Sequence, residues 1–180
     1  MGATSKLNTV YLVYFLIHIP ILFCVDLVYF YPPAWYAAAG PLAPLGRLRA
    51  YYLASYKDQF FSPAGVPSFF PLFCFLELVF HLPVSVWAVR ALSSASGTRG
   101  LKGKDELLLF LYGVETALTT ATCMWEAYGW SEELVTGAEK VTLIGGLYGS
   151  YFAVALLLSV DMWMRLTSKL EAADRVKKVQ

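Results

Sequence analysis

Charge is scarce in this chain. Asp, Glu, Lys and Arg make up 15% of its 180 residues, against roughly a quarter in a typical soluble domain. Hydrophobic residues make up 58% and aromatic ones 16%, which excludes an ordinary soluble globule. Cysteine is scarce too: Cys24, Cys74 and Cys123 all lie within apolar runs, so packing, rather than a disulfide framework or a metal cluster, is their expected role. No basic patch interleaved with aromatics occurs outside the apolar runs, so no nucleic-acid partner is expected. Asp26, Glu77 and His81 lack the further His or carboxylate ligands that metal sites show, so no metal and no cofactor is expected.

What is present are four apolar segments, at about 8–30, 68–92, 106–128 and 141–164, each long enough to cross a bilayer as a helix. They predict an all-α, polytopic membrane protein, a single domain over 1–180 folded as a four-helix transmembrane bundle with an internal ligand cavity, followed by a tail at 165–180. The N-terminal run from Leu7 to Tyr31 is too long for a signal peptide, holds Asp26 and lacks a convincing cleavage site, so the first helix is expected to stay. Pro20 predicts a kink near Ile17–Ile19, and Pro32-Pro33 closes the segment.

Two acids stand out at membrane depth. Asp26 lies in the first segment and Glu77 in the second, with His81 one turn after Glu77 on the same face. An aspartate at that depth costs about 2.5–3.5 kcal/mol, so a shared polar site is expected in which one carboxyl is protonated and donates to the other. An interhelical clamp without a ligand is the alternative. His18 reads either as a neutral core histidine bonded to backbone or as a ligand-site residue. Residues 33–67 are too apolar for a free linker and suggest a lid at the interface. Within them Lys57-Asp58 is either a solvated pair or a lid anchor.

In the third segment Thr116, Thr119, Thr120 and Thr122 pack helices or line one face, and Glu115 is expected nearer the end of the span, within reach of water. In the fourth, Gly145-Gly146 and Gly149 suggest close helix approach, Tyr148 and Tyr151 could present hydroxyls to the central site, and Asp161 is expected to pair with Arg165. Ten Lys and Arg flank the side shared by the N-terminus, the second loop and the tail, against four on the other side (Arg47, Arg49, Lys57, Lys140). That bias predicts cytosolic termini. Lys177-Lys178 then has the form of an endoplasmic-reticulum retrieval signal.

The run YFLIHIP followed by Val25-Asp26-Leu27, the dipeptide Lys57-Asp58 and the stretch FCFLELVFHLP (Phe73 to Pro83) resemble the sigma-2 receptor-like branch of the EXPERA superfamily, which also contains emopamil-binding protein, the sterol Δ8–Δ7 isomerase. The resemblance implies a reticulum-membrane bundle, homodimeric, with a lipid-accessible cavity for sterols, oxysterols and cationic amphiphilic drugs. It implies that Asp26 pairs with a ligand's amine, that Glu77 hydrogen-bonds to Asp26, and that Asp58 supports the pocket's edge. Tyr151 and Thr119 or Thr120 would line the pocket. The isomerase carries a histidine one turn before its first-helix acid. Here Leu22 stands there, and His18 lies two turns away, about 12 Å along the axis. Binding without catalysis, serving sterol homeostasis or trafficking, is therefore expected. The alternatives are a residual isomerase recruiting His18 or His81, and a quality-control factor acting on mistargeted mitochondrial precursors through its basic second loop and tail.

Overall fold

The computed structural model describes residues 3–62, 66–95 and 100–179; Arg99, used in the topology count, lies outside them. Every regular element among the described residues is helical. Four of them are long and apolar enough to cross a membrane: Lys6–Phe30, Phe70–Ala95, Gly103–Gly129 and Gly137–Lys178.

Span 1 is helix α1 (Ala3–Cys24), which runs through Pro20 without a break. A break in the span comes at Val25, where the backbone leaves helical geometry and a short 3₁₀ turn, Asp26–Phe30, follows. Helices α2 (Pro33–Tyr36) and α3 (Ala43–Tyr56) and a 3₁₀ turn at Gln59–Phe61 fold the first connection back over the bundle. Lys57 ends α3 in the left-handed conformation, φ 55°.

Span 2 consists of α4 (Phe70–Leu76), a π-helical turn at Glu77–His81 and α5 (Leu82–Ala95). Pro83 explains the wide turn. Its ring has no N–H to donate and would clash with the carbonyl four residues back, so the preceding turn opens and Leu82 N–H reaches Glu77 O instead. Span 3 is α6 (Gly103–Gly129), started by Asp105, whose carboxylate accepts from Lys102 N–H at 3.2 Å. Span 4 begins with α7 (Gly137–Lys140), capped by Thr136 and Glu139, passes through a π-helical stretch at Val141–Tyr148 and continues as α8 (Gly149–Val179). The expected tail is thus helical as far as Val179. Its residues 165–179 are rich in Leu, Ala, Glu, Arg and Lys, strong helix formers that carry the helix past the end of the apolar run.

Small residues meet elsewhere than the sequence suggests. A Cβ on Gly145 or Gly146 would touch nothing, whereas one on Gly113 would fall 2.6 Å from Ser159 Oγ and 3.0 Å from Ala155 O. Gly113 therefore lets α6 approach α8 closely. Gly149 approaches only its own preceding turn, where a Cβ would fall 2.9 Å from Ile144 O.

Two apolar clusters fill the bundle. Tyr11, Phe15, Leu92, Leu109, Tyr112, Leu158 and Met162 join all four spans. Phe60, Phe61, Phe70, Cys74, Cys123 and Ala127 join the first connection to spans 2 and 3. Span 3 is the least apolar, with a mean hydropathy of 1.4 against 1.8–2.1 for the others, yet has the largest buried share, 39%. Glu106, Thr116 and Thr120 are buried, while Thr122 faces outward and bonds to Leu118 O of its own helix.

Candidate functional site

A cavity of about 300 Å³ lies between the spans beneath the folded connection. Its wall is mostly apolar, and seven residues singled out in the sequence line it: His18, Asp26, Glu77, Thr119, Thr120, Tyr148 and Tyr151. His81 and Asp58 stand behind that wall rather than in it, both buried.

Asp26 opens the 3₁₀ turn at the point where α1 stops, so its carboxyl sits at a break in the helix rather than on a helical face. Among the described residues no hydrogen bond engages it. Glu77 does not reach for Asp26; its Oε2 faces His81 Nδ1 at 2.9 Å. His81 is held on its other side by the carboxylate of Glu115, which contacts Nε2. Glu115 is therefore a site residue as well, its side chain turned onto His81 and about a quarter exposed. Its position on the inward face of α6, opposite His81, is what the sequence reading lacked.

His18 is 2% exposed and bonds to a side chain, the hydroxyl of Tyr151, at 2.8 Å from Nδ1, not to the backbone. Its ring stacks on Tyr14 at 5.5 Å and lies 6.0 Å from His81. Tyr112 completes this layer, 4.9 Å from His81 between ring centres and 3.4 Å from Tyr14 between hydroxyls. Thr119 donates to the carbonyl of Glu115 at 3.0 Å, a bond that satisfies its hydroxyl within its own helix. Thr120 is buried beside it.

Asp58 settles the reading of the loop pair. It is fully buried and accepts from Tyr52 Oη at 2.7 Å, Tyr148 Oη at 2.8 Å and Phe60 N–H at 3.1 Å, whereas Lys57 is exposed. It anchors the first connection to span 4. Burial raises the Asp58 carboxyl above the usual aspartate range, against the pull of Tyr52, Tyr148 and the Phe60 amide. Burial and the neighbouring Asp58 likewise raise the Tyr52 hydroxyl. Tyr52, a cavity-lining residue absent from the sequence-based candidates, is detectable only through this bond, because one tyrosine among many in an aromatic loop carries no periodic signal.

At the far end Arg165 pairs with Asp161 as expected, Nη2 to Oδ2 at 2.5 Å, and adds Asn8 at 2.7 Å. Tyr11 donates to Asp161 at 3.0 Å. Lys177 and Lys178 lie in the last turn of α8, exposed and remote from the cavity.

Four membrane-length helices around a largely apolar cavity with acids at its wall define a multi-pass membrane protein with an internal polar site. The sequence model of the EXPERA (EXPanded EBP superfamily) family matches residues 44–162. A Schizosaccharomyces pombe protein, Efficient mitochondria targeting-associated protein 19, is 30% identical over 171 residues, covering 93% of this chain and 80% of that relative. The chain belongs to the EXPERA family.

Proposed function

We propose that this protein binds sterols or oxysterols and cationic amphiphiles in its intramembrane cavity, as a non-enzymatic, homodimeric component of the endoplasmic reticulum serving sterol homeostasis or trafficking. One observation carries the reading. A mostly apolar cavity of about 300 Å³ has on its wall an acid, Asp26, that no described residue engages by a hydrogen bond. That volume stands at the lower end of ligand pockets, roughly 300–1,000 Å³, so a compact amine or part of a sterol body fits. An ammonium near Asp26 would gain a charge-assisted hydrogen bond in a poorly solvated site. A sterol would use hydrogen bonds alone, with Phe61, Phe70 and Phe73 against its rings.

The absence of catalysis is part of the proposal. His18 is engaged by Tyr151 and by no hydrogen bond to Asp26 among the described residues, which supports binding over proton shuttling. The test is binding of an oxysterol and of a cationic amphiphile to purified wild-type, Asp26→Asn and Glu77→Gln proteins. Loss of the amine ligand in folded Asp26→Asn, with the oxysterol retained, is expected; unchanged binding of both in both variants would refute the site.

A second reading is favoured by the relative's name, which associates it with mitochondria targeting. In that reading the basic second loop (Lys102, Lys104) and the end of α8 (Arg175, Lys177, Lys178) form the acting surface. Charge reversal there would then abolish handling of a mitochondrial precursor at the reticulum, while pocket variants leave it intact.

A further inference from the structure

We propose that His18, Glu77 and His81 bind a divalent transition-metal ion of the zinc class at the inner wall of the cavity. One ligand atom from each of the three lies within 4.8 Å of the other two. Bonds of about 2.0–2.2 Å around a tetrahedral ion place ligand atoms roughly 3.4 Å apart, so rotation of these side chains by an ångström or so closes the set. The sequence reading weighed Asp26 with Glu77 and His81; in the structure the residue that stands with those two is His18, from a different span.

The orientation of His81 supplies the independent observation. Its side chain is 2% exposed, and its Nδ1 faces Glu77 Oε2 at 2.9 Å, yet neither atom takes part in a hydrogen bond of acceptable geometry. Two buried lone-pair atoms aimed at common space are arranged as neighbours around an ion are. On the far side, Nε2 of His81 meets the Glu115 carboxylate. That is the carboxylate–histidine–metal relation in which a second carboxylate takes the ring's N–H and turns the other nitrogen toward the ion. The π-helical turn that holds Glu77 and His81 is also a local form found often at functional sites.

Charge points the same way. Glu77 and Glu115 bring two carboxylates to membrane depth, and among the described residues no lysine or arginine lines the cavity. With both histidines neutral, a divalent cation offsets these two charges and lowers the penalty of uncompensated charge in a low-dielectric setting, with Asp26 a third acid on the same wall. Three protein ligands leave one position open toward the cavity, because His18 and Glu77 both line it. The Tyr151 hydroxyl, 2.8 Å from His18 Nδ1, stands at the edge of that space.

The test uses full-length protein in detergent without a polyhistidine tag, stripped with a chelator, loaded with Zn²⁺ or Co²⁺ and desalted. Metal per chain is read by mass spectrometry and coordination by the visible absorption of Co²⁺. One ion per chain and tetrahedral Co²⁺ bands are expected for the wild type. Both should disappear in His18→Ala and in His81→Gln, and affinity should fall roughly 10- to 100-fold in Glu115→Gln, whose carboxylate only positions His81. Wild-type protein that retains no more metal than the His18→Ala/His81→Gln double variant, or shows no tetrahedral bands with stoichiometric Co²⁺, overturns the proposal and leaves a hydrogen-bonded network. The wild-type spectrum decides even where a variant fails to fold. No organic ligand enters the measurement, so this site and the amine pocket stand or fall separately.

Discussion

Replacing Asp58 with alanine should release the first connection from the bundle. The side chain is fully buried and takes three donors, the hydroxyls of Tyr52 and Tyr148 and the amide of Phe60. Each orphaned buried donor costs roughly 1–3 kcal/mol. Tyr52 and Tyr148 line the cavity, where water can partly re-satisfy them, so the low end applies and the total is about 3 kcal/mol. For a chain of this length that is a fall in Tm of roughly 6–12 °C. Asp58→Asn keeps one oxygen acceptor, enough for the two tyrosines that share Oδ2 but not also for the Phe60 amide on Oδ1, and should lose only about 1 kcal/mol. The assay pairs thermal unfolding in detergent with limited trypsin digestion, read as cleavage within residues 43–62, where Arg47, Arg49 and Lys57 offer sites. Faster cleavage in Asp58→Ala than in Asp58→Asn, in step with the melting shifts, is the expected result. An Asp58→Ala protein that melts and resists trypsin like the wild type would refute the anchoring role, whatever the buried geometry.

Other consequences are open to measurement. Gly113→Ala sets a Cβ 2.6 Å from Ser159 Oγ and 3.0 Å from Ala155 O. It should destabilise by about 1–3 kcal/mol, with Ser159→Ala restoring part of the loss in a double-mutant cycle and the backbone contact keeping the rest. Arg165→Met leaves Asp161 with Tyr11 alone and should cost about 3 kcal/mol, read as a lower melting temperature. Asp58 carries a pH signature. Its folded-state pKa is raised by burial, so its contribution to stability is full below the ordinary aspartate value, about 3.9, and is lost as pH rises through the raised one. Melting temperature should therefore fall with rising pH across that window more steeply in the wild type than in Asp58→Asn. Equal slopes would remove Asp58 as the cause.

The sequence made some of this legible and hid the rest for physical reasons. The spans could be read because apolar runs of that length have few alternatives, and Asp26 and Glu77 because a carboxylate within such a run stands out. Glu115 was equally visible, but its partner His81 is 34 residues away, and pairing across helices depends on rotation and depth, which periodicity leaves undetermined. Gly113 escaped notice beside the more conspicuous Gly145-Gly146 because a glycine's use depends on what lies opposite it. Pro20 and Pro83 carry similar sequence signals, yet the first is absorbed by an unbroken helix while the second coincides with a π turn. The end of α8 went past its expected limit because the edge of hydrophobicity marks where a membrane stops, not where a helix must.

The inward turn of span 3 bears on how the protein is made. This helix is the least hydrophobic of the four, buries Thr116 and Thr120 against its neighbours and turns the half-buried Glu115 onto His81. When it first emerges during synthesis, His81 is already in place but α8 is not. A translocation channel that weighs each segment by its own hydrophobicity meets in span 3 a poor candidate, whose closest packing surface, around Gly113 and Ser159, has yet to be translated. Disrupting the last helix is therefore expected to weaken the insertion of span 3, the least hydrophobic of the four.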